Sequence, residues 1–123
     1  MVMNEAARLD LAFAALSDPT RRAILARLAK GEATVSELGE PFGLRQPTIS
    51  KHLRVLEEAG LIRQAKDAQR RPRQLVLDGP LRDVDGWIAP FRRQWESRFD
   101  NLDSYLRTMQ TNKANKTKRT KKA

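Results

Sequence analysis

Residues 34–60 read TVSELGEPFGLRQPTISKHLRVLEEAG, a pattern of two short helices separated by a turn that contains glycine. Thr34 and Glu37 have the spacing of a capping box, so a short helix is predicted to begin there. Gly43 is predicted to end it, because glycine readily adopts a left-handed backbone conformation. Two short helices joined so closely restrict the chain to a small fold that is built around a helix-turn-helix.

The second helix of this pair is predicted over residues 46–59, with Gly60 as its terminator. Pro47 lies in its first turn, where a missing N–H is tolerated. A spacing of three and four residues gives the helix a predicted buried face of Ile49, Leu53 and Leu56. The opposite face carries Gln46, Ser50, Lys51, Arg54 and Glu58.

Two more helices are predicted before this pair. The first covers residues 4–16, and its apolar positions at helical spacing are Leu9, Ala12, Phe13 and Leu16. Asp18 can cap a second helix over residues 19–30, in which Pro19 occupies the favoured first position.

The segment after the helix-turn-helix changes to a strand pattern. Residues 61–77 contain LIRQAK and RQLVL joined by DAQRRP, which predicts a β-hairpin. Pro72 cannot donate a ladder hydrogen bond, so we expect it at an edge or near the tip. Arg70, Arg71 and Arg73 are then predicted to project from a flexible tip. The fold class is therefore mainly α with a small β-hairpin.

An apolar series at spacings of three and four fills residues 80–109, which predicts one long helix, or two if Pro90 interrupts it. Residues 111–123 lack apolar side chains other than alanine and are predicted to be a disordered basic tail. A chain of 123 residues has room for one domain, so residues 1–110 are assigned to a single domain before this tail.

Composition excludes several kinds of chemistry and predicts where the protein is found. The chain has no cysteine, which rules out disulfides, thiolate metal sites and cysteine nucleophiles. No apolar run approaches the roughly 20 residues that cross a bilayer. The N-terminus lacks the features of a secretory signal, so we expect a cytoplasmic protein.

The positive charge of the chain is concentrated in two segments. The formal net charge is +9; residues 45–73 carry eight Lys and Arg against three acids, and residues 111–123 carry six against none. A basic strip confined to one helix and the following hairpin is typical of a surface that binds phosphates. Charges placed only for solubility would more often be scattered, so a partner that is a polyanion is predicted.

A helix-turn-helix presents the N-terminal end of its second helix to the major groove of double-stranded DNA, where side chains reach base edges. The predicted base-contacting residues are Gln46, Pro47, Ser50 and Lys51. The predicted contacts to the DNA backbone are Thr34, Ser36, Arg45, Thr48, Arg54, Arg70, Arg71 and Arg73. Alternatively, these are solvated residues on an ordinary surface helix.

Three classes of function remain open from the residues alone. The leading one is a sequence-specific DNA-binding regulator of transcription, and the second is a non-specific or architectural DNA-binding protein. The third is a module that binds another protein. No nucleophile–base pair, Gly-rich phosphate loop or metal cluster supports an enzyme, and no cofactor is predicted.

Three stretches of the chain, LSDPTRRAILARL, VSELGEPFGLRQPTISKHLRVLEEAGLI and AQRRPRQL, resemble the arsenical-repressor (ArsR-type) family of bacterial winged helix-turn-helix transcription factors. The resemblance covers roughly residues 8–108. It implies a homodimeric repressor that dimerises through its first and last helices and binds an inverted-repeat operator. Helix 46–59 would lie in the major groove, with the wing, residues 61–77, on the flanking backbone or in the minor groove.

The chain departs from the metal-sensing members of that family. Residues 37–42, ELGEPF, stand where those members carry a cysteine cluster, and no histidine lies near Asp83 and Asp85. Acids in the first turn of a helix are explained by the helix dipole, so no metal site is predicted. A small-molecule effector is possible but unidentified. His52 is expected to be structural or to contact the DNA backbone, and no partner supports a catalytic role.

The apolar residues of the last helix could belong to a core within the chain or to a dimer interface. Four other short helices and a hairpin offer too little surface to cover so many aromatic side chains, which favours the interface. The predicted interface residues are Leu9, Phe13, Trp87, Phe91, Trp95, Phe99, Leu102, Tyr105 and Leu106.

Overall fold

The computed structural model describes residues 4–66 and 69–121, with the side chains described as far as residue 113. In chain order the elements are α1 (Glu5–Leu16), α2 (Pro19–Leu28), α3 (Val35–Gly39), a 3-10 turn (Glu40–Phe42), α4 (Gln46–Glu58), β1 (Ile62–Gln64), β2 (Arg73–Leu75) and α5 (Pro80–Lys121). The contacts divide the chain into two compact units, Met1–Gly86 and Trp87–Ala123.

Side chains at the junction of α1 and α2 satisfy the backbone groups that the helix ends leave unpaired. The Asp18 carboxylate accepts a hydrogen bond from the backbone N–H of Arg21 at 3.0 Å, as the capping pattern predicts. The Arg21 and Arg22 guanidinium groups donate back to carbonyl oxygens of α1, at 2.7 Å to Ala15 and 2.8 Å to Leu16. The first turn of α2 is therefore capped by Asp18 and also binds the last carbonyl groups of α1, which fixes the tight turn between the two helices.

The helix-turn-helix of α3 and α4 forms as predicted, except that α3 ends at Gly39 and a 3-10 turn continues to Phe42, before Gly43. Thr34 and Glu37 make both hydrogen bonds of the capping box, and Gly43 has a φ of 61°. A Cβ atom on Gly39 would lie 3.1 Å from Cγ1 of Ile49. The two helices therefore approach each other at a distance that favours a residue without a side chain.

The core of the Met1–Gly86 unit lies between α1, α2, α3 and α4. The predicted buried face of α4 is confirmed, since Ile49, Leu53 and Leu56 are each at most 1% exposed. Other apolar residues with at most 3% exposure are Ala12, Ala15, Ile24, Leu28, Ala33, Leu38, Leu61 and Ile62.

The predicted hairpin is present but its strands are short. β1 and β2 pair antiparallel, with Ile62 opposite Leu75 and Gln64 opposite Arg73. Ala33, which precedes α3, also exchanges two backbone hydrogen bonds with Arg73, at 2.7 and 3.2 Å. This bridge attaches the base of the hairpin to the start of the helix-turn-helix.

Helix α5 is longer than predicted and continues through Pro90. Proline there removes one hydrogen bond, to the carbonyl of Gly86, and both residues are exposed, so water can satisfy that carbonyl. The backbone of 111–121 is helical where the sequence predicts a disordered tail; residues 122–123 lie outside the described part. Extension of an existing helix needs no new nucleus, and Lys, Arg and Ala, which make up six of these eleven residues, are good helix formers.

Among the described residues, no helix is both long enough and apolar enough to cross a bilayer.

Candidate nucleic-acid interface

The N-terminal end of α4 is an exposed polar surface. The four predicted base-contacting residues, Gln46, Pro47, Ser50 and Lys51, are all exposed, whereas Ile49 between them is fully buried. This division follows from the helical period, which turns position 49 into the core and leaves positions 46, 47, 50 and 51 on the surface.

Gln46 lies where α3, α4 and the hairpin come together. Its side-chain Nε2 donates a hydrogen bond to Oγ of Ser36 at 3.3 Å. Thr34, Val35, Ser36, Gln46 and Arg70 line one concavity of about 370 Å³. The structure therefore brings together predicted contact residues from three separate parts of the sequence.

The predicted backbone-contacting residues differ in how accessible they are. Thr34 is half-buried, and its hydroxyl accepts the backbone N–H of Glu37 at 3.2 Å as part of the capping box. The exposed members of the predicted set are Ser36, Arg45, Thr48, Arg54, Arg70 and Arg71.

Arg73 does not project from the tip of the hairpin, so that part of the prediction is wrong. Its side chain is only 13% exposed, and its Nε lies 2.7 Å from Oε1 of Glu57 on α4. A second guanidinium nitrogen donates to the backbone carbonyl of Arg71. The register of β2, which pairs Arg73 with Gln64, turns this arginine towards α4. Arg73 therefore fastens the wing to the helix.

Two carboxylates of the helix caps have lowered pKa values. The pKa of Glu37 lies below its ordinary value, first because the backbone N–H of Thr34 donates to it and then because of the Thr34 hydroxyl. Arg27 and Arg70 add weaker electrostatic attraction. For Asp18 the largest cause of the lowered pKa is the backbone N–H of Arg21. Both caps therefore stabilise the fold in their charged form and lose that effect in strong acid.

His52 lies part-buried beside Asp18 and Arg21, which agrees with a structural role, one of the two roles predicted for it. Its side chain is 20% exposed, and its Nδ1 lies 3.8 Å from Oδ2 of Asp18 and 3.4 Å from Nη1 of Arg21. The histidine thus links α4 to the start of α2. Sequence patterns do not predict the contacts that Arg21 and Glu57 make with α4 and the wing, because the partners His52 and Arg73 lie 31 and 16 residues away in the chain.

The described residues hold no group of three or more histidine, cysteine, aspartate or glutamate side chains placed to bind a metal ion. Asp83 lies in the first turn of α5, where a carboxylate interacts favourably with the helix dipole.

The Trp87–Ala123 unit carries the apolar stripe, which we define as the large apolar side chains of α5 that remain exposed. Trp87 and Phe91 form one tilted aromatic pair with ring centroids 5.0 Å apart. The members of the stripe are Trp87, Phe91, Trp95, Phe99, Leu102, Tyr105, Leu106 and Met109, with exposures between 46% and 70%. On α1, Phe13 is 36% exposed and Leu9 is half-buried.

Comparison with known proteins agrees with this geometry. Residues 16–65 match the model of a helix-turn-helix domain family. The chain is 44% identical over 70 residues to an HTH-type transcriptional regulator of Mycobacterium tuberculosis, covering 57% of this chain and 65% of that protein. It is 42% identical over 57 residues to the transcriptional repressor SdpR of Bacillus subtilis, covering 46% and 63% respectively. The chain thus spans a little under two thirds of the length of these curated relatives.

The solved structures include one that matches most of the chain. It is the crystal structure of an ArsR family transcriptional regulator, with 41% identity and a TM-score of 0.64, covering 79% of this chain and 98% of that one. The helix-turn-helix of α3 and α4 followed by the β1–β2 wing defines a winged helix-turn-helix protein. The chain belongs to the ArsR family of transcriptional regulators.

Proposed function

We propose that this protein is a homodimeric, sequence-specific DNA-binding repressor of transcription. The observation that carries the proposal is the exposed N-terminal end of α4. Gln46, Ser50 and Lys51 are exposed polar residues there, and Pro47 is the only exposed apolar residue among positions 46–51. Exposed positive charge beside it comes from the N-cap residue Arg45, from Arg54 on the helix, and from Arg70 and Arg71 in the wing.

An α-helix fits the major groove of B-form DNA, which is about 12 Å wide. Gln46, Ser50 and Lys51 offer the amide, hydroxyl and ammonium groups that bind base edges. The exposed arginines would hold the phosphates on either side, with the wing on the flanking backbone or in the minor groove. The site then combines base contacts for specificity with backbone contacts for affinity.

The apolar stripe supports a dimer. Large aromatic side chains exposed along one helix contribute several kcal/mol when a second surface covers them. A second copy of the chain would do so with two-fold symmetry and would set two α4 helices about 34 Å apart, one turn of DNA. An inverted-repeat operator is the matching DNA site.

Repression is supported by the similarity to the Bacillus subtilis transcriptional repressor. The basic segment 111–123 would add non-specific attraction to DNA that salt screens strongly. A bacterial cytoplasmic location, with the protein on the nucleoid, is part of the same proposal.

The test compares binding to the protein's own promoter DNA with binding to a scrambled duplex at near-physiological salt. We expect the promoter to bind about a thousandfold more tightly, because specific regulators discriminate at least to that extent. The double variant Gln46→Ala/Lys51→Ala should lose this selectivity. Gln94→Ala/Lys30→Ala, which removes the same side-chain types from exposed positions elsewhere, should keep it.

The second candidate, a non-specific or architectural DNA-binding protein, rests on the basic strip of residues 45–73. Equal binding to both duplexes, unchanged by Gln46→Ala/Lys51→Ala, would establish it in place of the repressor.

A further inference from the structure

Ser36 and Gln46 connect the two helices of the helix-turn-helix at their N-terminal ends. Ser36 is the second residue of α3 and Gln46 is the first of α4. The Gln46 amide nitrogen donates to the Ser36 hydroxyl oxygen at 3.3 Å. A predicted base-contacting side chain is therefore already held by a hydrogen bond inside the protein.

The backbone that carries Ser36 is fixed on both sides. The capping box of Thr34 and Glu37 closes the start of α3. Gly39 lies three residues after Ser36, and Ile49 lies three residues after Gln46. A Cβ atom on Gly39 would be 3.1 Å from Ile49, so α3 and α4 are packed closely one helical turn beyond the hydrogen bond.

The donors and the acceptor of the Gln46 amide determine which groups remain available to DNA once Ser36 is bound. A glutamine side chain has two N–H donors and one carbonyl acceptor. Ser36 takes one donor, so one donor and the carbonyl oxygen of Gln46 remain. The major-groove edge of adenine presents an acceptor at N7 and a donor at N6, whereas guanine presents two acceptors. The remaining pair matches adenine and does not match guanine.

We propose that Ser36 is a positioning residue that sets the Gln46 amide to select adenine in the operator. The inference rests on the proposed function, since it specifies which base one side chain reads. Ser36 acts through Gln46 and contributes specificity at one base pair. The sequence alone predicts a different role for Ser36, a contact to the DNA backbone, and the two roles have different consequences for binding.

The experiment measures affinity for a set of operator duplexes in which each position is changed to all four base pairs. The variants are Gln46→Ala, Ser36→Ala and Ser36→Thr, and the position read by Gln46 is the one whose preference disappears in Gln46→Ala. The wild type should prefer adenine there by roughly fivefold or more, the effect of a bidentate pair. Ser36→Ala should lose most of this preference, while Ser36→Thr, which retains the hydroxyl, should keep it.

Ser97→Ala is the matched control, because Ser97 is another exposed serine and lies outside the helix-turn-helix and the wing. It should leave the adenine preference unchanged. Affinity for a random duplex should be the same for Ser36→Ala and the wild type, because positioning affects only the base that is read.

Several results would overturn the inference. A uniform weakening of all duplexes by Ser36→Ala would show a phosphate contact, and a wild-type preference for guanine would contradict the hydrogen-bond assignment. If the wild type distinguishes operator duplexes but no base preference changes in Gln46→Ala, this inference is wrong and the proposed function stands. If the wild type binds all duplexes equally, both this inference and the proposed function are wrong.

Discussion

The Met1–Gly86 unit encloses a core of large apolar side chains, whereas most of the large apolar side chains described in the Trp87–Ala123 unit are exposed. Ile24, Ile49 and Leu56 are fully buried in the first, but Phe99 is 70% exposed and Tyr105 is 62% exposed in the second. The first unit therefore completes a core with its own helices. The second displays the side chains of a core and needs another surface to cover them.

The spacing of the exposed residues indicates what kind of surface that is. Trp95, Phe99, Leu102, Leu106 and Met109 follow one another at alternating intervals of four and three residues. This is the repeat with which two helices pack side by side over several turns. A second copy of α5 presents the same repeat, so self-association satisfies both chains at once.

The most severe test of this comparison places charges in the apolar stripe. Trp95→Asp/Phe99→Asp should abolish self-association, because two carboxylates cannot be covered by an apolar partner without a large desolvation cost. Sedimentation equilibrium should then give the monomer mass, and operator affinity should fall by about a hundredfold or more as the second half-site contact is lost.

Ser97→Asp/Ser104→Asp provides the control, with the same charges at exposed positions on the other side of α5 by helical spacing. It should remain a dimer. A Trp95→Asp/Phe99→Asp protein that still sediments as a dimer would show that the stripe is not the interface.

Truncation of one apolar side chain in each unit should have different consequences for unfolding. Ile49→Ala should lower the free energy of unfolding by about 2–5 kcal/mol at every protein concentration, because it leaves a cavity in a covered core. Phe99→Ala should lower it in a way that depends on protein concentration, since the lost contacts are between chains. Urea unfolding followed by circular dichroism over a hundredfold range of concentration measures both. If both variants lost stability independently of concentration, the contrast between the units would be wrong.

Much of the first unit could be predicted because its signals are local. The caps at Asp18 and Thr34, the left-handed Gly43 and the buried face of α4 each depend on residues within a few positions of one another. The exposed polar end of α4 follows from the same helical period.

The features that could not be predicted depend on residues far apart in the sequence or on the continuation of a preceding helix. The basic composition of the turn predicts Arg73 at an exposed tip, but strand register and the partner Glu57 determine where its guanidinium lies. The hydrogen bond between Ser36 and Gln46 depends on how α3 packs against α4, which no single helix pattern contains. The helical backbone of 111–121 depends on the ordered helix before it.

The smallest effect we predict concerns two arginines of the wing, of which Arg73 should contribute to stability and Arg71 to DNA affinity. Arg73→Ala should lower the free energy of unfolding by about 1.5–3 kcal/mol, because it removes a charged hydrogen bond and leaves the part-buried Glu57 carboxylate without that partner. Arg71→Ala, at an exposed position, should leave stability unchanged and reduce the slope of log affinity against log salt by about one.

The double variant Arg73→Ala/Glu57→Ala separates the ion pair from the loss of either side chain alone, because a coupling energy appears only if the two groups interact. We expect the double variant to be less destabilised than the two single variants would give by addition. If instead Arg73→Ala were as stable as the wild type and reduced the salt slope as Arg71→Ala does, Arg73 would contact DNA from the tip of the wing. The Met1–Gly86 unit would then owe its stability to its apolar core without this link between wing and helix.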